Sequence, residues 1–143
     1  MESFSTIKDL QRSLRKKELS SKELLCSYLD NIDSKDASVN SFTTIDREFS
    51  LKQAEHADKM FASGTATPMT GIPIAHKDIF CTKGLTTTCG SKMLQNFVPP
   101  YNATIINKLN ASGAVILGKT NMDEFAMGSS NETSFFGPVR NPW

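Results

Sequence analysis

One lysine of this chain stands in an otherwise apolar run, Gly71-Ile72-Pro73-Ile74-Ala75-His76-Lys77-Asp78-Ile79-Phe80. Bounded by Thr70-Gly71 in front and Thr82-Lys83-Gly84 behind, the run reads as a short buried strand, which places Lys77 inside the protein or at the mouth of a cleft. An ammonium is expensive to bury without a partner. Lys77 therefore either pairs, most simply with Asp78 or another acid, or gives up its proton and acts as a base. On the strand alone pairing is the default, because lysines that reach a partner or solvent outnumber catalytic ones.

Other residues offer chemistry with less support. Gly113-Ala114-Val115-Ile116-Leu117-Gly118-Lys119-Thr120 satisfies the phosphate-loop pattern G-x-x-x-x-G-K-[ST]. The physics of that pattern needs a strand before the first glycine and a flexible loop between the two, so that backbone N–H groups turn inward around phosphate. Here a helical stretch precedes Gly113 and the residues between the glycines are themselves strand-like, so nucleotide binding at Lys119 is the runner-up reading. Cys89 is a nucleophile in principle, but it has no histidine near it in sequence and His76 would have to reach it through the fold. His56, between Glu55 and Asp58, reads as surface decoration.

Composition excludes several classes. The chain has 143 residues, 38% of them hydrophobic and 22% charged, which suffices for one core, and a net charge of +1 marks neither a nucleic-acid-binding face nor an acidic tail. Cys26, Cys81 and Cys89 have no metal-ligand spacing and leave an odd thiol, which suits a reducing compartment. With no signal-like start at Met1-Glu2-Ser3-Phe4 and no spanning apolar run, the expectation is a cytoplasmic protein, in which the N-x-[ST] matches at Asn102, Asn110 and Asn131 carry no glycan. The finish at Asn141-Pro142-Trp143 looks like a cut.

These residues need elements to hold them. Thr6 with Asp9 opens a first helix running to about Lys17, and Ser20-Ser21-Lys22-Glu23 is a capping box for a second with the stripe Leu24, Leu25, Tyr28, Leu29, Ile32. A turn follows at Asp33–Asp36, a brief strand at Phe42–Ile45, and a third helix from Arg47 to Ala62 ended by Gly64. Thr65–Thr70 is a linker, and Thr86–Ser91 a loop with too little bulk for a core element. Asn102-Ala103-Thr104 opens a helix with Ile105, Ile106 and Leu109 on one side, closed by Gly113, before the apolar strand Val115-Ile116-Leu117. Strand, helix and strand make a βαβ unit, so the fold class is α/β, with N-terminal helices followed by the start of a mostly parallel or mixed sheet covered by helices.

The blocks Gly71-Ile72-Pro73 to Lys77-Asp78, Thr87-Thr88-Cys89-Gly90-Ser91, Gly113 to Asn121, and Met122-Asp123-Glu124-Phe125-Ala126-Met127-Gly128 through Asn131-Glu132-Thr133-Ser134 to Asn141-Pro142-Trp143 resemble the amidase signature family, in order and nearly end to end. Within it they are most similar to the glutamine-hydrolysing subunit of tRNA-dependent amidotransferases. The resemblance implies that residues 1–143 are the N-terminal part of a single amidase domain, roughly the first third of such a subunit, with 1–64 a mostly helical lead-in and 65–143 the first strands and helix of the core.

It further implies amide hydrolysis by a Ser–cis-Ser–Lys triad, with the family's lysine falling on Lys77 as general base and proton relay. Both serines and the oxyanion-binding N–H groups belong to segments that follow the Asn-Pro-Trp motif in the family, which gives Ser129, Ser130 and Ser134 no catalytic role. The stretch Met127, Gly128, Ser129 is similar to the wall of the substrate pocket. This chain is expected to bind no cofactor or metal and, by itself, to be inactive. Two partner subunits are implied, making a heterotrimer. One uses ATP and magnesium to activate Glu-tRNA(Gln) and receives ammonia from glutamine, and a small one braces the other two. A noncatalytic scaffold domain, complete in itself, is the third reading.

Overall fold

The computed structural model describes residues 6–143; Met1–Ser5, where the sequence reading finds no targeting segment, lie outside them. Helix α1 (Ile7–Arg15) starts where expected, its Thr6 cap accepting from Asp9 N–H, and buries Leu10 and Leu14. Helix α2 (Ser21–Val39) carries the reciprocal capping box of Ser20 and Glu23 and buries Leu24, Leu25, Leu29 and Ile32. The turn expected at Asp33–Asp36 is absent, and the helix runs through it. Its polar residues lie toward solvent, and Asp36 instead ties down the chain beyond the helix end by accepting the Ser41 N–H at 2.7 Å. The stop falls at Asn40, whose φ of 60° is the left-handed conformation that asparagine tolerates.

Strand β1 (Phe42–Thr44) and helix α3 (Arg47–Ala62), capped by Asp46, follow as the sequence predicts. Ala54 and Ala57, both fully buried, let α3 lie close to α2, and the two helices enclose Leu25, Leu29, Ile32, Val115 and Leu117. A second cluster joins Leu10, Leu14, Leu24 and Ile72, and a third joins Leu85, Ile106 and Ile116. Helix α4 (Thr104–Ala111) buries Ile106 but leaves Ile105 43% exposed, and it has no side-chain cap. Asn102, expected to open it, accepts the Lys83 N–H instead.

The sheet has the order β1-β3-β2, with β2 (Pro73–Lys77) parallel to β3 (Val115–Thr120) and β1 antiparallel to it. Thus β2, α4 and β3 form the expected βαβ crossover, and the sheet is mixed because the helical lead-in contributes β1. Strand β2, expected to be buried, is only partly so. It has one neighbour, ends at Lys77, and exposes Ala75 and Lys77. Its register on β3 slips by one residue between Ile74↔Ile116 and Ala75↔Gly118, after which His76 pairs with Lys119 and Lys77 with Thr120. Bulges of this kind re-aim side chains at the end of a strand. Gly118 is required there, since a Cβ would stand 2.6 Å from the Thr44 carbonyl oxygen of β1.

Candidate active site

The alternation of β2 decides which residues meet. Ala75 and Lys77 face out while His76 and Asp78 face in, because successive side chains of a strand point to opposite sides. Lys77 is therefore exposed at the mouth of a groove, the second of the two placements expected, and Asp78 is not its partner. The buried lysine is Lys119, the one assigned to the phosphate-loop reading. Its Nζ lies 3.2 Å from Asp78 Oδ1 with both side chains at 0% exposure. It also donates to the Phe80 carbonyl at 2.8 Å and to Thr87 Oγ1 at 2.7 Å. Burial pulls the Lys119 amine below its ordinary value, and the Asp78 carboxylate opposes that pull. Gly113 to Thr120 is a helix end followed by β3, and all three ammonium donors of Lys119 are engaged, so nothing here cradles an anion.

Asp78 is held from every side. Its N–H donates to the Thr120 carbonyl at 3.0 Å, and its own carbonyl accepts the Cys89 N–H at 3.2 Å. Its carboxylate accepts the Thr88 N–H and, in a short contact, the Thr88 hydroxyl. The small-residue loop 87–91 is thereby clamped to the end of β2. Burial raises the Cys89 thiol above its ordinary value, with the Asp78 carboxylate adding to the effect, which weakens it as a nucleophile. His76 Nε2 lies 3.5 Å from Thr82 Oγ1, and burial, aided by the Lys119 charge, lowers the ring to about 4.

On the outward side Lys77 lines a groove of about 390 Å³ with Asn121, Asp123, Gly128, Ser129 and Asn131. Of the residues expected to wall a substrate pocket, Gly128 and Ser129 share this groove with Lys77, whereas Met127 is 76% exposed and stays out of its lining. Asp123 organises the wall. Its carboxylate accepts the Asn131 N–H at 2.9 Å, the Thr133 N–H at 3.2 Å and the Thr133 hydroxyl at 2.9 Å. The Asn131 N–H, foremost among these, holds Asp123 below the usual carboxylate range. A Cβ on Gly128 would stand 2.5 Å from that carboxylate, so only glycine lets the loop close over it.

Phe125 and Ala126 both have positive φ, 51° and 59°, and Cys89 has 52°. Non-glycine residues in this conformation persist where the surroundings over-determine them, commonly at ligand sites. The Cys89 carbonyl accepts the Phe125 N–H at 2.9 Å, so these conformations meet directly behind Ala126, which follows Phe125 and lines the groove. Ser130 bonds to Glu132, and buried Ser134 donates to Asn121 Oδ1 at 2.6 Å, both local structural contacts. Asp123 and Asn121 carry no sequence signal of their role, since their partners lie eight to sixteen residues away in irregular chain or, for the Asn40 carbonyl that accepts from Asn121, 81 residues away. Among the described residues no group of three His, Cys, Asp or Glu side chains is placed to hold a metal, and no helix is long and apolar enough to cross a membrane.

The chain is 58% identical over 139 residues to the glutamyl-tRNA(Gln) amidotransferase A subunit of Nitrosomonas europaea and 60% identical over 140 residues to that of Dechloromonas aromatica, in each case over 97% of this chain. It spans about 29% of the length of these curated relatives. Among solved structures it is similar to the peptide amidase of Stenotrophomonas maltophilia, with a TM-score of 0.88 at 32% identity over 98% of this chain and 30% of that one. It is likewise similar to the glutamyl-tRNA(Gln) amidotransferase A subunit of Thermotoga maritima, with a TM-score of 0.75 at 32% identity over 96% and 27% of the two chains. Residues 23–143 match the Amidase family, and the chain belongs to that family.

Proposed function

We propose that this chain is the N-terminal part of the glutaminase subunit of a tRNA-dependent amidotransferase, and that Lys77 is its catalytic base. The observation that carries the reading is the opening of Lys77, at the end of β2, into the groove walled by Gly128 and Ser129. A strand that delivers one lysine outward while its neighbours lock inward is suited to presenting an amine to residues supplied from elsewhere in the subunit. Those residues include the two serines that the family places after the Asn-Pro-Trp motif, and covering the groove with them supplies the desolvation that keeps the amine neutral.

In the reaction Lys77 takes a proton from the bridging serine, which takes one from the nucleophilic serine as that oxygen attacks the carboxamide carbon of glutamine. The C–N bond breaks, the returned proton leaves with ammonia, and an acyl-enzyme remains for water to hydrolyse. Ammonia passes to a partner subunit that uses ATP and magnesium on Glu-tRNA(Gln), and a third, small subunit completes a cytoplasmic heterotrimer. No step on this chain runs through the nucleotide or the metal.

The test is substitution of Lys77 in the full-length, assembled enzyme. Lys77→Ala removes the base and Lys77→Arg installs a cation that keeps its proton near neutral pH, so both abolish ammonia release from glutamine while activity with free ammonia survives. Retention of glutamine-dependent activity by Lys77→Arg would show that the lysine is not the base.

A further inference from the structure

Of the ion pairs among the described residues, Lys119–Asp78 alone has both side chains at 0% exposure. A buried pair adds little net stability over well-packed apolar replacements, so its use points to geometry. That geometry joins the two sides of the groove. Asp78 directly follows Lys77 and is fixed through its N–H, its carbonyl and its carboxylate, while Lys119 ties the Phe80 carbonyl to Thr87. The clamped loop in turn carries the opposite wall, because the Cys89 and Gly90 carbonyls accept the N–H groups of Phe125 and Phe135, and Ser91 donates to Glu124 at 2.6 Å.

We infer that Asp78 and Lys119 are positioning residues for the glutaminase reaction, a neutralised pair that sets Lys77 against the Gly128–Ser130 wall. The inference rests on the reading of Lys77 as base. Charged or titratable groups around Lys77 are Asp123 across the groove, His76 and Asp78 beside it on the chain and Lys119 on the neighbouring strand, with Cys89 on the clamped loop near Asp78 and Lys119. With both members present their charges cancel at Lys77. With one missing, the other acts on it uncompensated.

The test uses the assembled full-length enzyme carrying Asp78→Asn, Lys119→Met, or both, with ammonia-dependent amidation reporting assembly. Each variant is expected to lower kcat for glutamine hydrolysis by about tenfold or more, the loss associated with a misplaced catalytic group. The acid limb of kcat/KM moves to lower pH in Asp78→Asn, where a bare cation disfavours protonated Lys77, and to higher pH in Lys119→Met. Each displacement is about half a pH unit or more, and the double variant shows none. Unmoved limbs in both single variants, or wild-type kcat in the double, would overturn the inference.

Where the single variants do not assemble, the double decides: a glutamine-specific loss sustains the pair's role, and failure of the double to assemble marks it as structural only. Glutaminase activity surviving in Lys77→Ala identifies failure of the underlying reading instead.

Discussion

Lys119 on β3 and Asp78, the residue that follows β2, meet at 3.2 Å beyond the reach of solvent, and each has further hydrogen-bond partners. Nothing adjacent in sequence produces this contact. It follows from the one-residue slip between β2 and β3, which brings the end of one strand against Lys119 of the other.

Stability should depend on the pair asymmetrically. Removing one partner leaves an uncompensated buried charge and costs about 3–5 kcal/mol, whereas removing both costs much less than the sum. Denaturant unfolding of the full-length protein bearing Asp78→Asn, Lys119→Met and the double substitution measures the coupling. Strictly additive losses would contradict it.

His76 gives a stability dependence on pH. Its folded value of about 4 lies below the 6.5 of the free side chain, so the unfolded state binds the proton first as pH falls. Its contribution is complete above pH 6.5 and is lost as pH drops from there toward 4, by at most about 3 kcal/mol. Between pH 7 and pH 5 the melting temperature of the full-length protein should fall more steeply for wild type than for His76→Gln, and equal slopes would refute the assignment.

ATP titrated onto the full-length protein without its partners should show no saturable binding at roughly millimolar concentrations or below, the range in which weak specific sites still register. Micromolar binding that maps to Gly113–Thr120 would restore the phosphate-loop reading.

Residues 1–143 by themselves should release no ammonia from glutamine and should bind hydrophobic dyes without a cooperative melt. The edge of β2 is unpaired in the described structure, and Met93 and Met127 are 83% and 76% exposed. Sharp melting of a monodisperse monomer would favour a self-contained scaffold domain. Glutaminase activity would assign catalysis to Ser129, Ser130 or Ser134.

Local chemistry made much of this chain legible in advance. The caps at Thr6 and Ser20, the stripe of α2, the brief strand at Phe42 and the βαβ unit through α4 all follow from contacts within a few residues, which spacing records. The same spacing places a strand at Val115–Leu117, which the structure extends through Lys119 to Thr120. Tertiary structure alone decided which lysine is buried. A run of apolar residues around Lys77 says that a strand is there, but exposure depends on what covers each face of it, and the described residues bury His76 on one face while leaving Ala75 and Lys77 exposed on the other. Asp78 pairs with a residue 41 positions away in preference to the one beside it, because alternation turns adjacent side chains to opposite faces and a bulge sets which distant one arrives. Asp123's hold on the groove wall was equally hidden, since its bonds to Asn131 and Thr133 arise in irregular chain with no period to read.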